Sequence, residues 1–87
     1  MGFHKYVEEQ LFSELSRARD EYKRARKFLL QLTSDAPSGL PDPDSEARIQ
    51  VAARRNAMAL EAYEHALQEC YEFMLHGSIP KRLREKL

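Results

Sequence analysis

Apolar residues recur along this chain at alternating intervals of three and four, in two stretches divided by a cluster of helix breakers. In the first stretch Leu15, Tyr22 and Leu29 share heptad position a, while Leu11, Ala18, Ala25 and Leu32 share position d. In the second, Ile49, Asn56, Tyr63 and Cys70 fall at a, and Ala52, Ala59, Ala66 and Phe73 at d. This spacing puts each set on one stripe of an α-helix, because a turn takes about 3.6 residues. Neither Gly nor Pro occurs between Phe3 and Thr33 or between Asp44 and His76. Each stretch therefore predicts one helix of about 30 residues, roughly 45–50 Å long, over residues ~4–33 and ~43–76.

Between them lies Ser34-Asp35-Ala36-Pro37-Ser38-Gly39-Leu40-Pro41-Asp42, dense in turn formers. Asp42-Pro43 reads as an N-cap followed by proline at the first helical position. Asp44 and Glu46 add negative charge at the positive end of the second helix dipole. Gly77, directly after His76, is a C-terminal stop signal. Residues 77–87 are then expected as a short helical turn or tail.

A short break between two striped helices predicts an all-α, antiparallel two-helix hairpin, a single domain over residues 1–87. Pairing like positions across it sets Ala25 against Ala52, Ala18 against Ala59, Leu11 against Ala66 and His4 against Phe73. The a positions then pair Leu29 with Ile49, Tyr22 with Asn56 and Leu15 with Tyr63. One register satisfies every pair, and it places the turn where the breakers cluster. Facing alanines let the helix axes approach toward the short end of the usual 8–10 Å range, but they bury little apolar area. Tyr22 and Asn56 form an expected polar layer, the Tyr hydroxyl bonded to the Asn amide.

A second apolar seam extends beyond the a and d positions. On the second helix Ala53, Leu60, Leu67 and Met74 occupy e, with Ala57 and Tyr71 at b; on the first, Phe12 lies at e, and Val7 and Phe28 at g. A solvated two-helix coiled coil carries charge at e and g, so leucine and phenylalanine there predict a wider buried face. The expectation is an association seam of Phe12, Phe28, Ala53, Leu60, Leu67 and Met74, completed by a second copy as a homodimeric four-helix bundle or by a protein partner.

Size reinforces that need. A chain of 87 residues buries only roughly 60–65% of the surface it exposes when unfolded. Cys70 is the lone cysteine, so no internal disulfide adds to the core, and a free thiol fits a reducing compartment. The first six residues lack the apolar core of a signal peptide, and no apolar run approaches the ~20 residues of a membrane span. A cytoplasmic protein with no membrane role is expected.

Fourteen basic and fourteen acidic residues cancel, which removes any global attraction to nucleic acid or anionic lipid. Locally the charge is banded. Arg17, Arg19, Lys23, Arg24, Arg26 and Lys27 face Arg48, Arg54 and Arg55 across the middle of the hairpin, and Glu8, Glu9, Glu14, Glu61, Glu64, Glu69 and Glu72 gather at its open end. Arg17, Lys23, Arg24, Lys27, Arg54 and Arg55 are the candidate contacts for an RNA or DNA backbone. The band lacks interleaved exposed aromatics for base stacking, and charge runs are more often solvated faces. In that plainer reading the bands orient a dimer or dock the basic tail, Lys81 to Lys86, onto the acidic end.

His4, Glu72 and His76 are candidate metal ligands: Glu72 and His76 share a helical face, and the register brings His4 beside Phe73. Carboxylate-bridged metal bundles use a Glu-x-x-His pair with further inward carboxylates, and this chain has no Glu-x-x-His. Cys70, at an a position beside Glu69, reads as a core cysteine, since neighbouring carboxylates suppress thiolate formation. No catalytic constellation and no cofactor loop emerge. The expected function is a non-enzymatic helical interaction or regulatory module acting by self-association and protein binding, with a nucleic-acid-binding dimer and an interface metal-binding bundle as alternatives.

Overall fold

The computed structural model describes residues 2–35 and 43–85, with side chains described for residues 4–34 and 46–85. Helix α1 spans Gly2–Asp35 and helix α2 spans Pro43–His76, packed along each other as an antiparallel hairpin; a four-residue helix, α3, follows at Lys81–Arg84. No strand occurs among the described residues. Pro43 is the first residue of α2, as its missing N–H and fixed φ favour. Residues 36–42 of the expected turn, with the Asp42 cap, lie outside the described residues. No described helix is long and apolar enough to cross a membrane.

The molecule is a rod of 60 × 19 × 17 Å with a radius of gyration of 18.0 Å, against about 12 Å for a compact domain of this length. A rod has much surface and a thin core. The heptad stripe is nonetheless the inward one throughout: Leu11, Leu15, Ala18, Tyr22, Ala25, Leu29 and Leu32 on α1, and Ile49, Ala52, Asn56, Ala59, Tyr63, Ala66, Cys70 and Phe73 on α2, are all buried or half-buried. Among the described residues, complete burial is confined to Val7, Leu11, Ala52, Cys70 and Leu83.

Three contacts cross the seam. His4 and Phe73 meet as expected, ring centroids 6.1 Å apart. Leu11 has Cys70 against its backbone: the thiol Sγ lies 3.5 Å from the Leu11 carbonyl oxygen. Tyr22 stacks on Tyr63 at 5.9 Å and 21° rather than bonding Asn56, whose Oδ1 is buried without a hydrogen-bond partner. The Tyr22 contact has a simple cause: a heptad stripe specifies which residues face the seam, not which long side chains touch across it. Side chains also lean toward their own helix N-terminus, so opposed helices meet at staggered levels.

The tail is the main addition. Gly77 takes the left-handed conformation (φ +68) and donates its N–H to the Phe73 carbonyl at 2.9 Å, the αL form of helix ending. Pro80, extended at φ −56 and ψ 143, precedes α3, and its carbonyl accepts the N–H groups of Leu83 and Arg84 at 3.0 and 3.1 Å. That reversal returns Ile79 and Leu83 onto the hairpin, where they pack with Val7, Leu11, Leu15, Cys70 and Phe73 in one cluster.

Candidate interaction surfaces

Across an antiparallel helix pair the g positions of both helices flank one side of the seam and the e positions the other. Two features establish that geometry here. Arg82 spans Glu14 and Glu69, the g residues of α1 and α2 near the open end. Farther along, Glu21 and Phe28 from α1 line an open groove together with Arg55 and Ala62 from α2, again all g residues. The molecule thus has a g side, capped by the tail at one end and grooved at the other, and an e side.

At the open end of the g side the Arg82 guanidinium makes a two-pronged contact with Glu14, Nη1 to Oε1 and Nη2 to Oε2, each at 2.6 Å. Nη2 also donates to Glu69 Oε1 at 2.5 Å. The planar fork of arginine suits such bidentate pairing. The Glu14 hydrogen bonds lead in holding the guanidinium above its ordinary pKa; partial burial opposes them and Glu69 adds to them. The acidic open end and basic tail therefore meet directly, through one arginine. Leu83, beside it in sequence, is 1% exposed and covers Val7, which is fully enclosed. Val7 thereby leaves the second apolar seam: the chain covers it with its own tail.

Cys70 lies in the same cluster. Burial foremost, then the charges of Glu69 and Glu14, push its thiol pKa above the ordinary value of 9.0. A thiol so placed behaves as a small core residue rather than a nucleophile.

At the other end of the g side the groove is lined by Glu21, Arg24, Ala25 and Phe28 from α1 and by Val51, Arg54, Arg55, Met58, Ala59 and Ala62 from α2. Three of the six candidate phosphate contacts, Arg24, Arg54 and Arg55, converge here; Arg17, Lys23 and Lys27 do not line it. Phe28, Val51 and Met58 are all exposed. Phe28 is therefore set apart from the other residues of the expected association seam. Its position at g indicated this, since Phe12, Ala53, Leu60, Leu67 and Met74 all carry e positions.

Those e residues form a separate stripe. Phe12, Leu67, Met74 and, at b, Tyr71 are exposed; Leu60 is half-buried and Ala53 exposed. The candidate metal ligands do not assemble within one chain. His4 lies against Phe73, Glu72 accepts a 3.4 Å hydrogen bond from Gln68, and His76 is exposed. Among the described residues no group of three His, Cys, Asp or Glu side chains is placed to hold a metal ion.

No protein-family description, curated protein or solved structure matches this chain.

Proposed function

We propose that this chain is a non-enzymatic interaction module that self-associates through its e side, completing a four-helix bundle, and binds a protein partner. One observation carries the reading: Leu60, Leu67, Tyr71 and Met74 recur at helical spacing along one face of α2, with Phe12 at the matching position of α1, and four of the five are exposed. Scattered exposed apolar residues are ordinary, but a continuous stripe marks a contact surface. The thin hairpin core supplies the driving force. A second copy laid on this stripe buries the apolar area that facing alanines cannot.

Sedimentation equilibrium tests it. The expected result is a mass that rises with concentration toward that of a dimer, and a monomeric mass for the doubly substituted Leu67→Glu, Met74→Glu chain. A helical, fully monomeric wild-type chain at micromolar concentration would overturn the self-association reading.

A further inference from the structure

We propose that the groove on the g side docks an acidic amphipathic helix of a partner protein. This deepens the partner-binding half of the proposed function and does not depend on self-association.

Three properties of the groove select that occupant. Its apolar lining is linear: the exposed Val51 and Met58 lie seven residues apart on α2, roughly 10 Å along the axis, and Phe28 lines it from α1. That separation is two helical turns, the spacing of i and i+7 side chains on an amphipathic helix laid along a groove. Its rim is basic, with Arg24, Arg54 and Arg55 against the one carboxylate of Glu21. Glu21 sits 3.6 Å from Arg24, so Arg54 and Arg55, which make no ion pair among the described residues, carry the excess charge. The chain as a whole is neutral, so this positive potential is local and directs the choice of ligand.

The alternatives fit less well. A nucleic-acid backbone would meet the arginines but leave Val51 and Met58 without apolar contact, and a single aromatic, Phe28, is no stacking platform for successive bases. A second copy is disfavoured by symmetry. A two-fold axis along the rod sets Arg54 and Arg55 of one copy against the same residues of the other. An axis across it sets the groove over the open end, whose g-side carboxylates Glu14 and Glu69 are already held by Arg82 and whose Val7 lies beneath Leu83. The first arrangement juxtaposes like charges, and the second offers the groove neither free g-side carboxylates nor an exposed apolar stripe.

The test uses the full chain and a fluorescent model peptide of about 18 residues, with leucines at i, i+3, i+4 and i+7 and glutamates on the flanks. Its controls carry lysine for glutamate, or the same composition with scrambled leucine spacing; a single-stranded oligonucleotide is the fourth probe. Anisotropy titrations near physiological ionic strength are expected to show the glutamate peptide binding about tenfold or more tightly than either peptide control. Arg54→Glu and Met58→Asp are each expected to weaken that binding about tenfold. Both positions are exposed, so helix content by circular dichroism should not change. Absence of binding, indifference to leucine spacing, or oligonucleotide binding that Met58→Asp leaves intact would overturn the proposal. Self-association is read separately: Met58→Asp should leave the sedimenting mass unchanged, and Leu67→Glu with Met74→Glu should leave peptide affinity unchanged.

Discussion

The two halves of the rod use the same helix pairing in different ways. Toward the open end, Val7, Leu11, Cys70 and Leu83 form a closed cluster, supported by Leu15, Phe73 and Ile79, because a third segment folds back over the pair. Toward the turn, Ala18, Ala25, Ala52 and Ala59 bring two helices together with no third layer among the described residues, and the flanking Phe28, Val51 and Met58 stay exposed. The difference teaches that two helices alone do not make an interior. Among the described residues, large apolar side chains are enclosed only where a third element covers a flank, and here it takes no more than residues 79–83; in the turn half only the small Ala52 is buried. The half without such cover is the half that offers a groove.

The largest effect should come from testing that contrast with one residue type. Leu11 is 2% exposed in the closed cluster, whereas Leu29 is only half-buried in the open half. Leu11→Ala is expected to cost about 3 kcal/mol, within the range for fully buried leucines, and Leu29→Ala about half that. At this chain length each kcal/mol corresponds to roughly 4–8 °C in Tm, so thermal melts at matched concentration separate the two. Equal losses would mean that the halves are equally well packed and that the comparison fails.

A smaller effect of opposite sign is expected in the open half. Asn56 occupies an inward a position, yet its Oδ1 is buried with no hydrogen-bond partner, a cost that an apolar side chain avoids. Asn56→Leu should therefore stabilise the hairpin by about 1–2 kcal/mol in chemical denaturation. A loss of stability would show that the amide has a partner in solution, and the open half would then be more specifically built than the geometry indicates.

The stripe, the helices and the break between them were legible in the sequence because periodicity and Gly/Pro placement are local signals. Every assigned a and d residue from Leu11 to Leu32 and from Ile49 to Phe73 faces inward. Which side chains touch across the stripe was only partly legible, since long side chains lean along their helix: His4 meets Phe73 as matched, but Tyr22, matched to Asn56, stacks on Tyr63. The docking of the tail was visible only as charge: an acidic end and a basic Lys81-to-Lys86 run. What singles out Arg82 and Leu83 is the reversal at Gly77 and Pro80, a long-range return that no periodicity encodes. The two candidate surfaces were merged for a related reason. Apolar content at e and at g looks alike along one helix, and only the antiparallel pairing sends Phe28 to one side and Leu67 to the other.

The smallest effect concerns Cys70 and reports on how firmly the closed half is covered. Burial foremost, with Glu69 and Glu14, raises its thiol pKa in the folded chain above the ordinary 9.0. Between that ordinary value and the raised one, the unfolded chain has lost the thiol proton while the folded chain keeps it. The unfolded state then binds fewer protons, so this group's contribution to stability is full below about pH 9 and is lost as pH rises through the folded pKa. The tyrosines and lysines titrate nearby, so the measurement is the difference between wild type and Cys70→Ala in denaturation series from about pH 8 to 11. Wild type should lose stability more steeply across that range. Labelling provides the companion readout. At about pH 8 an aromatic disulfide reagent should modify Cys70 far more slowly than a free thiol, and Leu83→Ala, which loosens the covering segment, should speed it. Rapid labelling of the wild-type chain, or labelling indifferent to Leu83, would mean that the tail does not enclose this end in solution, and the two halves of the rod would then be alike.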